Sequence, residues 1–175
     1  MGNGNEPVVN LISKPENMLK TIYTACRTCY SADYPINIYE NAADEEKMLK
    51  LIERVIGSGH FSTIEHIQVT FAISNVSRAC THQLVRHRHM SFSQKSQRYV
   101  KEKGQFDYII PPTVEKNPEL LEKYKKFMEF TANFYTEMTE AGIPAEDARF
   151  VMPNAAASSL VTSLNLREMI HLAHL

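Results

Sequence analysis

Ile67-Gln68-Val69-Thr70-Phe71-Ala72-Ile73-Ser74 is the stretch on which the fold turns. Ile67, Val69, Phe71 and Ile73 alternate with Gln68, Thr70, Ala72 and Ser74, the period of two that sends every second side chain to one face of a strand. Upstream, Met48, Leu49, Ile52, Val55 and Ile56 recur at helical spacing. They predict a helix over 43–56, with Glu45 and Glu46 near its positive end and Gly57 and Gly59 as its stop. Residues 60–66 then make a loop that enters the strand. Downstream, Val76, Ala79, Cys80, Gln83 and Leu84 predict a short helix. A strand set between helices points to a chain that mixes strands and helices.

Further out, Val8, Val9, Leu11 and Ile12 suggest a first strand, Pro15 admits a helix over 16–30, and 31–41 reads as an irregular loop. Tyr108-Ile109-Ile110 reads as a strand ended by Pro111-Pro112. A long amphipathic helix over 118–141 carries Leu121, Tyr124, Phe127, Met128, Phe130, Phe134 and Met138 as its apolar positions and Gly142 as its stop. Pro144 opens another helix, and Pro153-Asn154 ends the segment that Arg149 to Met152 form. Residues 158–164 read as a strand, after which Leu166, Met169, Ile170 and Ala173 begin a last helix. No internal repeat or low-complexity segment is present, and 175 residues fit one domain, 1–175.

The helix after the central strand delivers the chain into Arg86-His87-Arg88-His89-Met90-Ser91-Phe92-Ser93-Gln94-Lys95-Ser96-Gln97-Arg98-Tyr99. Three arginines, a lysine and two histidines stand here with no acidic residue among them, which reads as a binding loop for an anion rather than a helix face or one side of a strand. The blander reading is a solvated basic turn. Arginine forks and serine hydroxyls such as Ser96 suit phosphate oxygens.

A formal charge of −1 argues against a dedicated nucleic-acid or membrane-surface protein, and no apolar run reaches a membrane span. The first six residues lack the basic and apolar regions of a leader, so the expected location is the cytoplasm. Three cysteines exclude a disulfide framework. Cys26 and Cys29 fall at helical spacing with Met18, Leu19, Ile22 and Ala25, and Cys80 falls among apolar positions too, so all three read as inert core thiols. The second ligand pair that a zinc site needs is missing, and no metal is expected. Nucleophile triads, glycine-rich dinucleotide fingerprints and P-loops are likewise absent from the sequence.

Arg86-His87-Arg88 with Ser96 and the closing Gln97-Arg98-Tyr99 resembles the signature of the flavin-dependent thymidylate synthases. The resemblance extends through Gly59-His60-Phe61-Ser62-Thr63-Ile64-Glu65-His66, Ser77-Arg78 and Gln83-Leu84-Val85. It continues through Arg149-Phe150-Val151-Met152-Pro153-Asn154 and Asn165-Leu166-Arg167-Glu168, in order over most of the chain. It implies an α/β (α+β) fold like that family's, a central mixed or antiparallel sheet with flanking helices, and reductive methylation of dUMP to dTMP, with methylenetetrahydrofolate as carbon donor, NADPH as reductant and FAD as hydride carrier, in a homotetramer whose active sites are shared between chains. It also implies FAD contacts from Ser62, Arg86, His87, Arg88, Gln94, Asn165, Leu166, Arg167 and His171. The dUMP contacts it implies are Gln83, Leu84, Val85, Arg86, Gln94, Lys95, Ser96, Gln97, Arg98 and Arg149, the last reaching in from a neighbouring subunit.

Taken singly, His60, His66 and His171 read as surface or capping histidines, Arg149 as a salt-bridge partner of nearby acids, and Asn165 as an N-cap. The chain departs from the family pattern at Ser93, where asparagine is usual, and at Ser62-Thr63, where threonine and proline are common. The resemblance also implies an arginine directly after Leu175 that would assist the uracil ring. The sequence stops before it, which gives the expectation of a last helix cut short, no nameable catalytic residue and weak turnover. A reading from a different class is a single-stranded RNA-binding module in which Arg86, Arg88, Lys95 and Arg98 follow phosphates while Phe92 and Tyr99 stack bases. A third is a flavin-binding relative without catalysis.

Overall fold

The computed structural model describes residues 6–101 and 106–175; the leader reading of residues 1–5 lies outside them. Among these residues four strands form one antiparallel sheet in the order β1-β2-β4-β3: β1 Val8–Ser13, β2 Gln68–Ser77, β3 Ser91–Gln94 and β4 Ala157–Asn165. Helices accompany it, so the expected α/β class stands. The chain divides into two compact units: one draws on residues up to Asn10, Ala72–Arg88 and Phe92–Val161, the other on Leu11–Phe71, His89–Ser91 and Thr162–Leu175.

The second unit is built on α1 (Met18–Thr28) and α3 (Glu45–Gly57). Their stripes place Ile22, Cys26, Ile52 and Val55 in one core with Ile64 and Ile67, and Met18, Leu19, Tyr23, Leu51, Ile56 and Leu166 pack around it. Each such aliphatic side chain stabilises the fold by about 1.5–3 kcal/mol, the main reason these helices stay folded. Asp44 caps α3: its carboxylate accepts from the Lys47 N–H at 3.0 Å and meets the Lys47 ammonium at 2.6 Å, which holds its pKa below the usual carboxylate range. Gly59, at φ +89°, turns the chain out of the helix through a conformation that strains any side-chain-bearing residue. A 3₁₀ turn, Phe61–Ile64, then leads to β2.

Part of the segment read as irregular is helical: α2 spans Pro35–Glu40. Proline at its first turn needs no N–H donor and has its φ already set, and Ile38 alone anchors the turn by burial. The cysteines also divide. Cys26 is buried, and desolvation pushes its thiol pKa up against the hydrogen bond from Thr63. Cys29, the residue that ends α1, and Cys80 are exposed, so only one of the three expected core thiols lies in a core. Helical spacing alone missed this because both stand near helix ends, where the apolar stripe runs out.

In the first unit, β2 continues to Ser77 and takes Val76 with it as a buried strand residue. The following helix, α4 (Arg78–Leu84), starts where the Ser77 hydroxyl accepts from the Cys80 N–H at 3.1 Å. No strand forms at 108–110: Tyr108 makes an isolated antiparallel bridge to Ala156, because Pro111 and Pro112 have no N–H with which to continue a ladder. Pro112–Glu115 is the short helix α5, and α6 runs Pro118–Glu140. α6 buries Met128, Thr131, Ala132 and Tyr135. Phe127, Phe130 and Phe134, expected on its inner stripe, are exposed instead. The helix carries two apolar faces, and on the inner one the short side chain of Ala132 lets Phe106 pack against it and Ala156. α7 is Ala145–Ala148, a 3₁₀ turn Arg149–Val151 follows, and α8 (Leu166–Ala173) belongs to the second unit.

Candidate functional site

The basic stretch is not one loop. Its middle is β3, whose exposed Ser91 and Ser93 alternate with half-buried Phe92 and Gln94, and the Lys95 N–H just after the strand donates to the Ser159 carbonyl at 2.9 Å. That period of two is present in the sequence but hidden, because three of its four residues are polar.

Before β3, the candidate residues close α4 and follow it. The chain turns with Arg86 N–H donating to the Gln83 carbonyl at 3.0 Å and His87 N–H to the Leu84 carbonyl at 3.1 Å. Gln83, Val85, Arg86 and Arg88 are exposed, Leu84 and His87 half-buried. Two guanidinium groups thus stand at the surface within three residues.

From the end of β3 onward, side chains are more constrained. The Gln94 amide nitrogen donates to the Thr81 hydroxyl at 2.8 Å and to the Ser158 hydroxyl at 2.9 Å. Thr81 and Ser158 are buried, and the Thr81 hydroxyl donates its own hydrogen to the Arg78 carbonyl at 3.0 Å. Thr81 can therefore only accept from Gln94, which fixes which way the amide points. Ser96 closes a turn by accepting from the Arg98 N–H at 3.2 Å. Gln97 beside it is half-buried. The Arg98 guanidinium lies over the Tyr99 ring at 5.1 Å and reaches a Glu146 carboxylate oxygen at 3.8 Å.

Arg149 comes to the same residue from another side, its Nε–H donating to the Glu146 carbonyl at 3.1 Å. Arg98 and Arg149, far apart in sequence, thereby share one anchor within one chain. A third guanidinium stands beside Arg149: Arg78, partly buried, donates from Nε to His82 Nε2 at 3.1 Å. Burial first, and the neighbouring Arg149 second, lower its pKa from the usual arginine value. Neighbouring like charges favour an anion nearby. Glu146, Thr81, Ser158 and His82 were not legible as parts of the site; only the four-residue spacing of Arg78 and His82 hinted at a pair.

The second unit holds the other candidates around the start of α8. Asn165 caps it, its side-chain oxygen accepting from the Glu168 N–H at 2.8 Å, as its position alone suggested. Leu166 packs on the unit's core. Arg167 pairs with the Glu65 carboxylate at 2.5 Å and lies over the Phe61 ring at 5.9 Å, so it ties α8 to the 3₁₀ turn that holds Ser62. His171 follows Arg167 one turn later and is exposed.

This fold is known. The crystal structure titled a UMP/dUMP methylase, PolB, from Streptomyces cacaoi bound with 5-Br dUMP superposes with a TM-score of 0.80, at 22% identity over 96% of this chain and 76% of that one. Sequence narrows the class further. A flavin-dependent thymidylate synthase of Nitratidesulfovibrio vulgaris is 41% identical over 95% of this chain and 72% of its own length. That of Thermococcus onnurineus is 40% identical over 93% and 67%. Residues 10–175 match the family described as thymidylate synthase complementing protein, and the chain belongs to that family, the flavin-dependent thymidylate synthases.

Proposed function

We propose that the protein methylates dUMP reductively to dTMP, with methylenetetrahydrofolate as the carbon donor and NADPH as the reductant. The single observation that carries this reading is the meeting of Arg98 and Arg149 at Glu146, with Ser96 in the adjoining turn. Two guanidinium groups suit a dianionic phosphate monoester: each can offer paired N–H donors, and each charge-assisted bond contributes roughly 1.5–3 kcal/mol. A phosphate would replace the loose 3.8 Å contact of Arg98 with a stronger partner. Gln83, Leu84, Val85, Arg86, Gln94, Lys95 and Gln97 complete the proposed nucleotide contacts.

The donor set also fits FAD. Arg86 and Arg88 are exposed guanidinium groups suited to a diphosphate, and the residues around the start of α8 add the amide of Asn165, Arg167 and His171. Ser62, His87, Leu166 and Gln94 complete that set. Bound FAD would supply hydride transfer, while the protein's residues orient the nucleotide, neutralise its phosphate and exclude water. Self-association into a homotetramer with shared sites belongs to this proposal. Because Arg98 and Arg149 already meet in one chain, the shared contribution is assigned to the Gln83–Arg86 end rather than to Arg149. The basic patch as an RNA-binding surface is not favoured, given the family. The deciding experiment is dUMP-dependent oxidation of the reduced flavin with detection of dTMP; oxidation that ignores dUMP would defeat the reading.

A further inference from the structure

Cys26 and Cys29, three apart in sequence, take no part in the chemistry above. Cys26 lies in the last turn of α1 and Cys29 closes it, with backbone angles (φ −71°, ψ −15°) that continue the right-handed helical path. Residues so spaced share a face, their Cβ atoms about 5–6 Å apart, against the roughly 3.5–4.5 Å of a disulfide. A shift of about 1–2 Å closes that gap. Cys29 can make it, because it is exposed and α1 ends with it, so no further turn of helix resists. The pair is also asymmetric. Cys29 faces solvent, whereas Cys26 is 1% exposed, packed among Ile22, Ile52, Val55, Ile64 and Ile67. One thiol can meet a reagent from solution, and the other acts only from within the protein.

Burial also sets Cys26 against the 3₁₀ turn Phe61–Ile64, where Thr63 is its hydrogen-bond partner. The same turn holds Ser62, carries Phe61 under the Arg167 guanidinium, and is closed by Glu65, the ion-pair partner of Arg167. We propose that Cys29 and Cys26 form a thiol–disulfide exchange site for low-molecular-weight disulfides, and that closing the Cys26–Cys29 bond loosens this turn. Cys29, as the thiolate, attacks one sulfur of the small disulfide, forming a mixed disulfide and releasing the first small thiol. Cys26, giving up its proton, then attacks the Cys29 sulfur, and the second small thiol leaves. The two cysteines are oxidised, the small disulfide is reduced, and the two protons end on the released thiols. The Cys26 sulfur, drawn toward Cys29, parts from Thr63, the residue next to Ser62. An effect on flavin binding rests on the FAD contacts proposed above for Ser62 and Arg167, while the exchange itself does not.

The test uses the full chain carrying Cys80→Ser, which removes the other exposed thiol. After incubation with oxidised glutathione, intact mass spectrometry should show a chain lighter by two hydrogens and without glutathione. Cleavage after Arg27 separates the two cysteines, so the new bond appears as two peptides joined by a reducible link. Adding Cys26→Ser should instead trap one glutathione on Cys29, and adding Cys29→Ser should leave the chain unmodified. FAD affinity, followed by quenching of flavin fluorescence, should fall about tenfold on oxidation, the size of one lost hydrogen bond, and return with dithiothreitol. A Cys26–Cys29 pair that stays reduced, or ends as a stable glutathione adduct, overturns the exchange site. Disulfide formation with unchanged FAD affinity overturns the link to the turn. A reduced chain that binds no FAD defeats the flavin reading, while the mass result still judges the exchange. If Cys26→Ser fails to fold, the peptide map of the oxidised Cys80→Ser chain decides alone.

Discussion

The candidate residues of the two units are held in opposite ways. Around α8 three have a visible local duty: Asn165 caps the helix, Leu166 fills the core, and Arg167 ties the helix to the 3₁₀ turn through Glu65. In the other unit, Arg98 and Arg149 are steered toward one place by modest contacts with Glu146, and Arg78 stands beside Arg149. Groups already well bonded gain little from a visitor, whereas cations crowded together gain much. Membership of one family signature therefore does not mean one kind of work: part of it builds the frame and part waits for the ligand.

Four variants test that division, beginning with the largest effect. Arg98→Ala or Arg149→Ala should weaken dUMP binding about 10–100-fold, from the roughly 1.5–3 kcal/mol of a charge-assisted contact, while Tm stays nearly unchanged. Calorimetric titration measures the first and thermal unfolding the second. Full affinity with lost stability in both variants would reverse the comparison. Gln94→Leu belongs to both sides: removing a donor from buried Thr81 and Ser158 should cost about 1–3 kcal/mol of stability, seen in denaturant unfolding, besides any loss of ligand. Asn165→Ala tests the frame side alone and should cost about 1 kcal/mol. If instead it left stability untouched and reduced only flavin binding, the capping role would have to be given up.

Much of this was legible because strong local rules operate. The strand around Val69, the helix capped by Asp44 and the cap at Asn165 each follow from period or capping chemistry that tertiary structure did not override. The hidden parts came from packing. Pairing with β4 made a strand of Ser91–Gln94 despite its polarity. The outward turn of Phe127, Phe130 and Phe134 depended on which of two apolar faces of α6 met Phe106. The convergence of Arg98, Arg149 and Glu146 links segments nearly fifty residues apart in sequence, a distance no local pattern spans.

The hydroxyl of Thr81 has a consequence beyond its own bonds. Its single proton is committed to the Arg78 carbonyl, so the side chain at position 94 meets a lone pair and must bring a hydrogen of its own. Glutamine does so at any pH. A glutamate there could do so only as the neutral acid, and so would carry a raised pKa: its stabilising bond would be present in acid and lost as pH rises through that value. One threonine, pointing its proton at the backbone, thus decides whether this corner of the protein is indifferent to acidity or governed by it.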